Sequence, residues 1–191
     1  MAANPLFADS LISPTVSSSL PDSYTIRPLW RSDFRAGFLD VLRILTTVGD
    51  INEERWNAQF EWMAKRNQEG DGPGEYFILV VLDPERVVGA GTLVVERKLL
   101  PGRGHHCQDS MLIGSRGGSI HNLGLVGHIE DIAVAKDQQG KKLGLKIIQA
   151  LDYVAEQVGC YKSILDCSEA NEGFYVKCGF KRSGLEMAHY Y

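Results

Sequence analysis

Much that would announce a function outright is missing from this chain. Its four cysteines, Cys107, Cys160, Cys167 and Cys178, form no C-x-x-C pair, which argues against a zinc module or a disulfide framework. Cys160, Cys167 and Cys178 are expected to be reduced, small core residues. His105-His106-Cys107 sits in a Gly-rich stretch without a second ligand cluster, so it reads as loop and no metal is expected. No apolar run approaches the ~20 residues that span a bilayer. The first twenty residues have neither a basic start nor a continuous apolar segment, so the expected setting is the cytosol, with no membrane span. Basic excess is lacking too: 20 Lys+Arg against 24 Asp+Glu give a net charge of -4, which is not the footprint of a nucleic-acid binder. Any anion site must therefore be local. Neither a G-x-x-x-x-G-K-[ST] nor a G-x-G-x-x-G motif occurs, and there is no internal repeat.

What is present reads as one α/β domain over 22–191 behind a Ser/Pro-rich segment, 1–21, expected to be a flexible arm. "YTIRPL" alternates as a first strand. Phe34, Phe38, Val41, Leu42 and Leu45 recur at helical spacing, and Asn52 is a good cap for a second helix carrying Trp56, Phe60 and Met63. Two long strands flank Pro84-Glu85-Arg86 as an antiparallel hairpin. A long Gly- and Ser-rich connection, 99–125, follows. Next come a strand over His128–Ala135, a helix to about Val158, the strand "YKSILDC", a short helix over Asn171–Lys177, and a last strand from Phe180. The expected order is β-α-α-β-β-β-α-β-α-β, a mixed, mostly antiparallel sheet flanked by helices.

The join in "GHIEDIAVAKDQQGKKLGLK" is the most informative stretch. A helix capped near Asp137 would expose the backbone N–H groups of Gln139, Gly140 and Lys141, which want acceptors. Lys141 and Lys142 near that positive end are unfavourable by about 0.3–1 kcal/mol each unless an anion lies among them. Gly144 within the apolar stripe Leu143, Ile147, Ile148, Leu151 and Val154 suggests a close approach of backbone or ligand.

Together, "GHIEDIAVAKDQQGKKLG", "CYKSILDC", "NEGFYVKCGF", "TTVG" and "ERK" resemble the glucosamine-6-phosphate N-acetyltransferases of the GCN5-related N-acetyltransferase (GNAT) superfamily, from about Tyr24 to the C-terminus. The superfamily pattern [QR]-x-x-G-x-[GA] fits at Gln139 and Gly144, with Lys142 replacing the middle glycine; the narrower Q-G-x-x-L-G fits completely. The resemblance implies a GNAT fold that binds acetyl-CoA through Ile132, Ala133 and Val134, through Gln139, Gly140, Lys141, Lys142, Leu143, Gly144 and Leu145, and through Asn171 and Tyr175. It implies an amino-sugar phosphate bound by Thr46, Lys98, His121, Glu130, Asp131, Tyr161, Lys162 and Asp166, and a homodimer meeting at its C-terminal strands. The terminal His189-Tyr190-Tyr191 departs from relatives that carry a basic residue there.

Acetyl transfer from a thioester to an amine needs a neutral amine, a polarised carbonyl and a protonated leaving thiolate. Tyr175 is the candidate donor to sulfur, its phenol pKa (~10) lying above that of a thiol (~8.5); Asp166 and Glu130 are the candidate acids at the amine. Glu130 and Asp131, being consecutive on a strand, are expected to face opposite ways. No cysteine sits in a nucleophile motif, so direct transfer is expected. Acetylation of another small amine or a protein N-terminus, or CoA binding without catalysis, are the alternative readings.

Overall fold

The hairpin around Pro84 is the centre of the fold. The computed structural model describes residues 4–69, 72–99 and 124–189; within them β2 (Tyr76–Leu82) and β3 (Val87–Arg97) pair antiparallel, from Tyr76 opposite Val94 to Leu82 opposite Val87. The Asp83 carboxylate accepts the backbone N–H groups of Glu85 and Arg86, each at 2.9 Å, which closes the turn. Phe77 to Val81 are all buried, because both sheet faces are covered. Around this pair the strands follow one another as β1-β2-β3-β4-β5, with β1 (Thr25–Pro28), β4 (Leu125–Val134) and β5 (Cys160–Ile164). All neighbours are antiparallel except β4 and β5, so the expected mixed, mostly antiparallel architecture stands.

Helix α4 (Leu143–Gln157) covers one face and buries Leu143, Ile147, Ile148, Leu151 and Val154, the stripe read from the sequence. On the other side α3 (Glu53–Gln68) buries Trp56, Phe60 and Met63, and its cap Asn52 accepts the Arg55 N–H at 2.9 Å, as expected. The single helix expected over 34–45 is broken. Arg31–Phe34 is a 3-10 turn and α2 (Phe38–Leu42) starts only after Gly37, whose φ of 89° belongs to the left-handed region.

Residues 4–21 are not an arm. Pro14–Ser18 form a short helix, α1, with Ser13 as its cap, and Leu6, Phe7 and Val16 are core residues. The Leu6 N–H donates to the Leu29 carbonyl at 2.8 Å, and the Phe7 ring meets Phe77 edge-on at 5.2 Å. These apolar residues are too sparse for a periodic signal, yet they join the common core, which their composition does not reveal.

The chain also departs from expectation at its end. Helix α5 (Glu169–Lys177) forms, but 180–189, where a last strand was expected, carries no regular structure. Among the described residues β5 therefore has a neighbour on one side only. Of the cysteines expected in the core, Cys160 and Cys178 are partly buried, whereas Cys167 is exposed; all three are free.

Candidate active site

The site is made by a fault in β4. Glu130 pairs with Thr92 and Ala133 with Ala90, so Asp131 and Ile132 together oppose the single residue Gly91. Asp131 takes a φ of 54°, left-handed and rare outside glycine, with aspartate among the residues that tolerate it. Such a bulge bends its strand and breaks the alternation of faces. The regular alternation on which the expectation for Glu130 and Asp131 rested is interrupted here: Asp131 lies in the bulge, and Ile132 reaches the α4 face, beside Ile147.

Beyond the bulge the sheet opens. β4 and β5 stay paired only from Leu125–Cys160 to His128–Ile164, so Ile132, Ala133 and Val134 keep β3 on one side and have no strand on the other. Backbone polar groups along such an edge are ready to bond an extended ligand. The opening leads to the turn before α4, and here the sequence reading needs correction. The first helical residue is Leu143, not Gln138; Lys136–Gln138 is a 3-10 turn. Gly140 (φ 80°) and Lys142 (φ 63°) both lie in the left-handed region, which no α-helix accommodates. The amides of Gln139, Gly140 and Lys141 belong to a loop that turns into the helix. Helix α4 still presents unsatisfied N–H groups at this end, and Lys142 is its N-cap residue with no side-chain cap bond. A lysine held left-handed costs about 1–2 kcal/mol relative to glycine.

Gly144 lies under the Phe174 ring and beside Val134: an added Cβ would stand 3.4 Å from the ring edge. α5 is thereby set across the opening from α4. From α5, Tyr175 turns half-buried against the core, stacks edge-on with Phe174 and Phe180, and has its phenol pKa pushed up by burial, then by the nearby Cys167, Cys178 and Glu130. The cap position of α5 is held by Ser168, which leaves Asp166, exposed just past β5, unspent on capping.

The acids meet where β4 and β5 part. Glu130 has its pKa raised by burial of its carboxyl first, then by Asp131, Asp166 and Glu186, with His128 opposing. Asp131 is raised by burial alone. A carboxylate surrounded by like charges attracts a cation and holds a proton more readily than a free one. Along the same face of β4, two residues before Glu130, His128 bonds Glu96 at 2.8 Å, and Glu96 pairs with Lys98 at 2.5 Å. These partners hold the Glu96 carboxyl below its usual range.

Of the predicted residues, Glu130, Asp131, Asp166 and Tyr175 come together, and Lys98 joins them through Glu96 and His128. Tyr161 is 44% exposed on β5, with the Lys162 ammonium 5.6 Å from its ring. Lys162 lines, with Asp166 and Tyr175, a groove of about 810 Å³ bounded by 180–186. Thr46 and Asn171 are exposed. His121 and His105-His106-Cys107 lie outside the described residues. Glu96 and His128 were missed as site residues, although the period of two that puts 96 with 98 and 128 with 130 was available. Among the described residues, no group of three His, Cys, Asp or Glu side chains could hold a metal, and no helix is long and apolar enough to cross a membrane.

The acetyltransferase (GNAT) family model matches residues 38–180. The chain belongs to the GNAT acetyltransferase family. Its relatives sharpen the resemblance: it is 41% identical over 169 residues to a glucosamine 6-phosphate N-acetyltransferase of Candida albicans, covering 88% of this chain and 96% of that one. It is 36% identical over 177 residues to glucosamine 6-phosphate N-acetyltransferase 1 of Dictyostelium discoideum, covering 92% and 96%. The crystal structure of glucosamine-6-phosphate N-acetyltransferase from Arabidopsis thaliana superposes with a TM-score of 0.72 at 30% identity, over 89% of this chain and 99% of that one. For this GNAT chain the strand opening and the loop before α4 fit an acetyl-CoA: a backbone edge with no strand partner among the described residues, where only the Gln139 side-chain amide reaches the Val134 carbonyl at 3.3 Å, a turn with two left-handed residues, and two lysines at its rim.

Proposed function

We propose that the protein transfers the acetyl group of acetyl-CoA to the amine of D-glucosamine 6-phosphate, giving N-acetyl-D-glucosamine 6-phosphate and CoA, a step toward UDP-N-acetylglucosamine. The observation that carries this reading is the gathering of Glu130, Asp131, Asp166 and Tyr175 at the point where β4 leaves β5, with Lys98 on the same face. The acidic group draws in the ammonium of an amino sugar, and Lys98 supplies fixed charge for a phosphate.

The roles follow from position. The free edge of Ile132 to Val134 takes the pantetheine arm, and Gln139 to Leu145 take the pyrophosphate. Glu130 or Asp166, directly or through a water, accepts the proton the amine sheds as its nitrogen bonds the thioester carbon and the carbon–sulfur bond breaks. Burial raises the Glu130 pKa, which makes it a stronger base than a free carboxylate. Tyr175 keeps its proton at neutral pH and donates a hydrogen bond to the leaving sulfur. Complete transfer from a phenol (~10) to a thiolate (~8.5) is uphill by about 2 kcal/mol before burial raises it further. The phenol therefore stabilises charge building on sulfur; CoA leaves as the thiolate and takes its proton from solvent, to which the carboxylate releases the proton shed by the amine.

A homodimer belongs to the same reading. The open edge of β5, the irregular 180–189 segment and the exposure of Leu185 (90%) and Met187 (94%) support a second copy completing the sheet there.

The Lys98–Glu96 pair favours a second reading. Glu96 competes for the charge a phosphate would need, which fits an unphosphorylated small amine as acceptor. CoA release measured with glucosamine 6-phosphate and with glucosamine separates the two. The first reading requires turnover to depend on the phosphate; equal turnover, or none with either sugar, would discard it.

A further inference from the structure

Five side chains from three distant segments are linked into one chain of hydrogen bonds beside the turn before α4. Tyr24, just before β1, donates its hydroxyl to the Gln138 Oε1 at 2.5 Å. The Lys141 ammonium donates both to the Tyr24 hydroxyl at 2.7 Å and to the Gln138 Oε1 at 2.6 Å, and lies 5.3 Å from the Tyr24 ring centroid. From Gln138, Nε2 continues to the Asp137 carboxylate at 2.9 Å, which Arg86 of the β2–β3 turn grips at 2.7 Å.

The arrangement has a definite polarity. Asp137, the carboxylate of the turn, is answered by Arg86 and Gln138, and these bonds hold its pKa below the usual range, so its charge is not left to repel an incoming anion. Lys141 uses two of its three N–H bonds on neutral oxygens and keeps the third free of these two partners. A lysine on a flexible stem loses side-chain entropy when it binds an anion, and here that ordering is done in advance. The tyrosine supplies the fixed point, because it packs against the core.

We propose that Tyr24 is a positioning residue for coenzyme binding, acting with Gln138 to hold the Lys141 ammonium over the phosphate-binding turn. This rests on the acetyl-CoA reading above and goes beyond it by naming a residue outside the turn on which affinity depends.

The test is a double-mutant cycle read by calorimetric titration with CoA, which needs no acceptor and no turnover. Tyr24→Phe keeps the ring and removes the hydroxyl, and should weaken CoA binding by roughly three- to tenfold. Lys141→Ala should weaken it by roughly ten- to a hundredfold. If Tyr24 acts through Lys141, the double variant binds like Lys141→Ala alone. Gln138→Ala, which cuts the same bridge from the turn, should reproduce the Tyr24→Phe loss and covers the case of a poorly folding Tyr24 variant. Turnover at saturating acetyl-CoA should stay near wild type in Tyr24→Phe, with the change confined to KM for acetyl-CoA. Unchanged CoA affinity in Tyr24→Phe and Gln138→Ala, or losses that multiply independently in the double variant, would overturn the positioning role while leaving acetyl-CoA as substrate. Failure of the wild-type protein to bind CoA would overturn the acetyl-CoA reading itself, and this inference with it.

Discussion

Replacing Gly91 with alanine should destabilise the protein through the contact that supports the β4 bulge. A Cβ at this position would stand 2.4 Å from Ile147 Cγ2, 2.7 Å from Ile132 Cδ1 and 3.0 Å from Leu151 Cδ1. Ile132 is partly exposed and can swing its terminal methyl away. Ile147 and Leu151 are fully buried, and the Ile147 Cγ2 methyl is fixed by the first side-chain torsion, so α4 or the sheet must shift. Overpacking of this kind costs about 1–3 kcal/mol. The lower entropy of alanine in the unfolded chain returns about 0.4–1 kcal/mol, leaving a net loss of about 1.5 kcal/mol. With a urea slope of about 2.5 kcal/mol/M, the unfolding midpoint should fall by about 0.6 M at constant slope. The melting temperature should fall by about 3–6 °C. Gly173→Ala is the control. It lies within α5 with nothing within 4 Å of the added methyl, and should gain up to about 1 kcal/mol. An unchanged or raised midpoint in Gly91→Ala would show that α4 does not press on the strand opposite the bulge.

Three further outcomes test the chemistry. Tyr175→Phe should lower kcat by roughly a hundredfold or more while calorimetric affinity for CoA stays the same; equal kcat would remove the phenol from the reaction. Lys98→Ala should raise KM for glucosamine 6-phosphate by roughly ten- to a hundredfold and leave turnover of unphosphorylated glucosamine unchanged. An equal change with both sugars would dismiss Lys98 as a phosphate contact. Glu130 binds its proton more tightly folded than unfolded, since burial and its acidic neighbours raise its pKa from the ordinary 4.5. Its contribution to stability therefore declines as pH rises from that ordinary value through the raised folded value. Glu130→Gln should melt higher than wild type at pH 7, converge with it at low pH, and lose activity; a lower melting temperature at pH 7 would contradict the assigned sign.

The elements whose signal is local were legible in the sequence. The hairpin at Pro84, the Asn52 cap and the α4 stripe depend on turn chemistry and periodicity within one segment, and each forms where expected. Gly37 splits the helix read over 34–45, and Lys142 delays α4, because in each case one left-handed residue overrides a periodic pattern that runs straight through it. The packing of Leu6, Phe7 and Val16 depends on partners far along the chain. The bulge was hidden for another reason: Asp131 occupies a conformation that glycine would have advertised. The acids and Tyr175 were legible through family resemblance, whereas Glu96 and His128 needed strand register, and Tyr24 needed a contact 114 residues distant in sequence.

The proposed function requires the parting of β4 from β5 and the turn before α4 together to hold acetyl-CoA with its thioester beside the acids. A crystal structure with CoA tests it directly. The pyrophosphate is expected within about 3 Å of backbone N–H groups between Gln139 and Leu145, the pantetheine arm along Ile132 to Val134, and the sulfur within reach of the Tyr175 hydroxyl. Coenzyme bound elsewhere, with that turn holding only solvent, would contradict it.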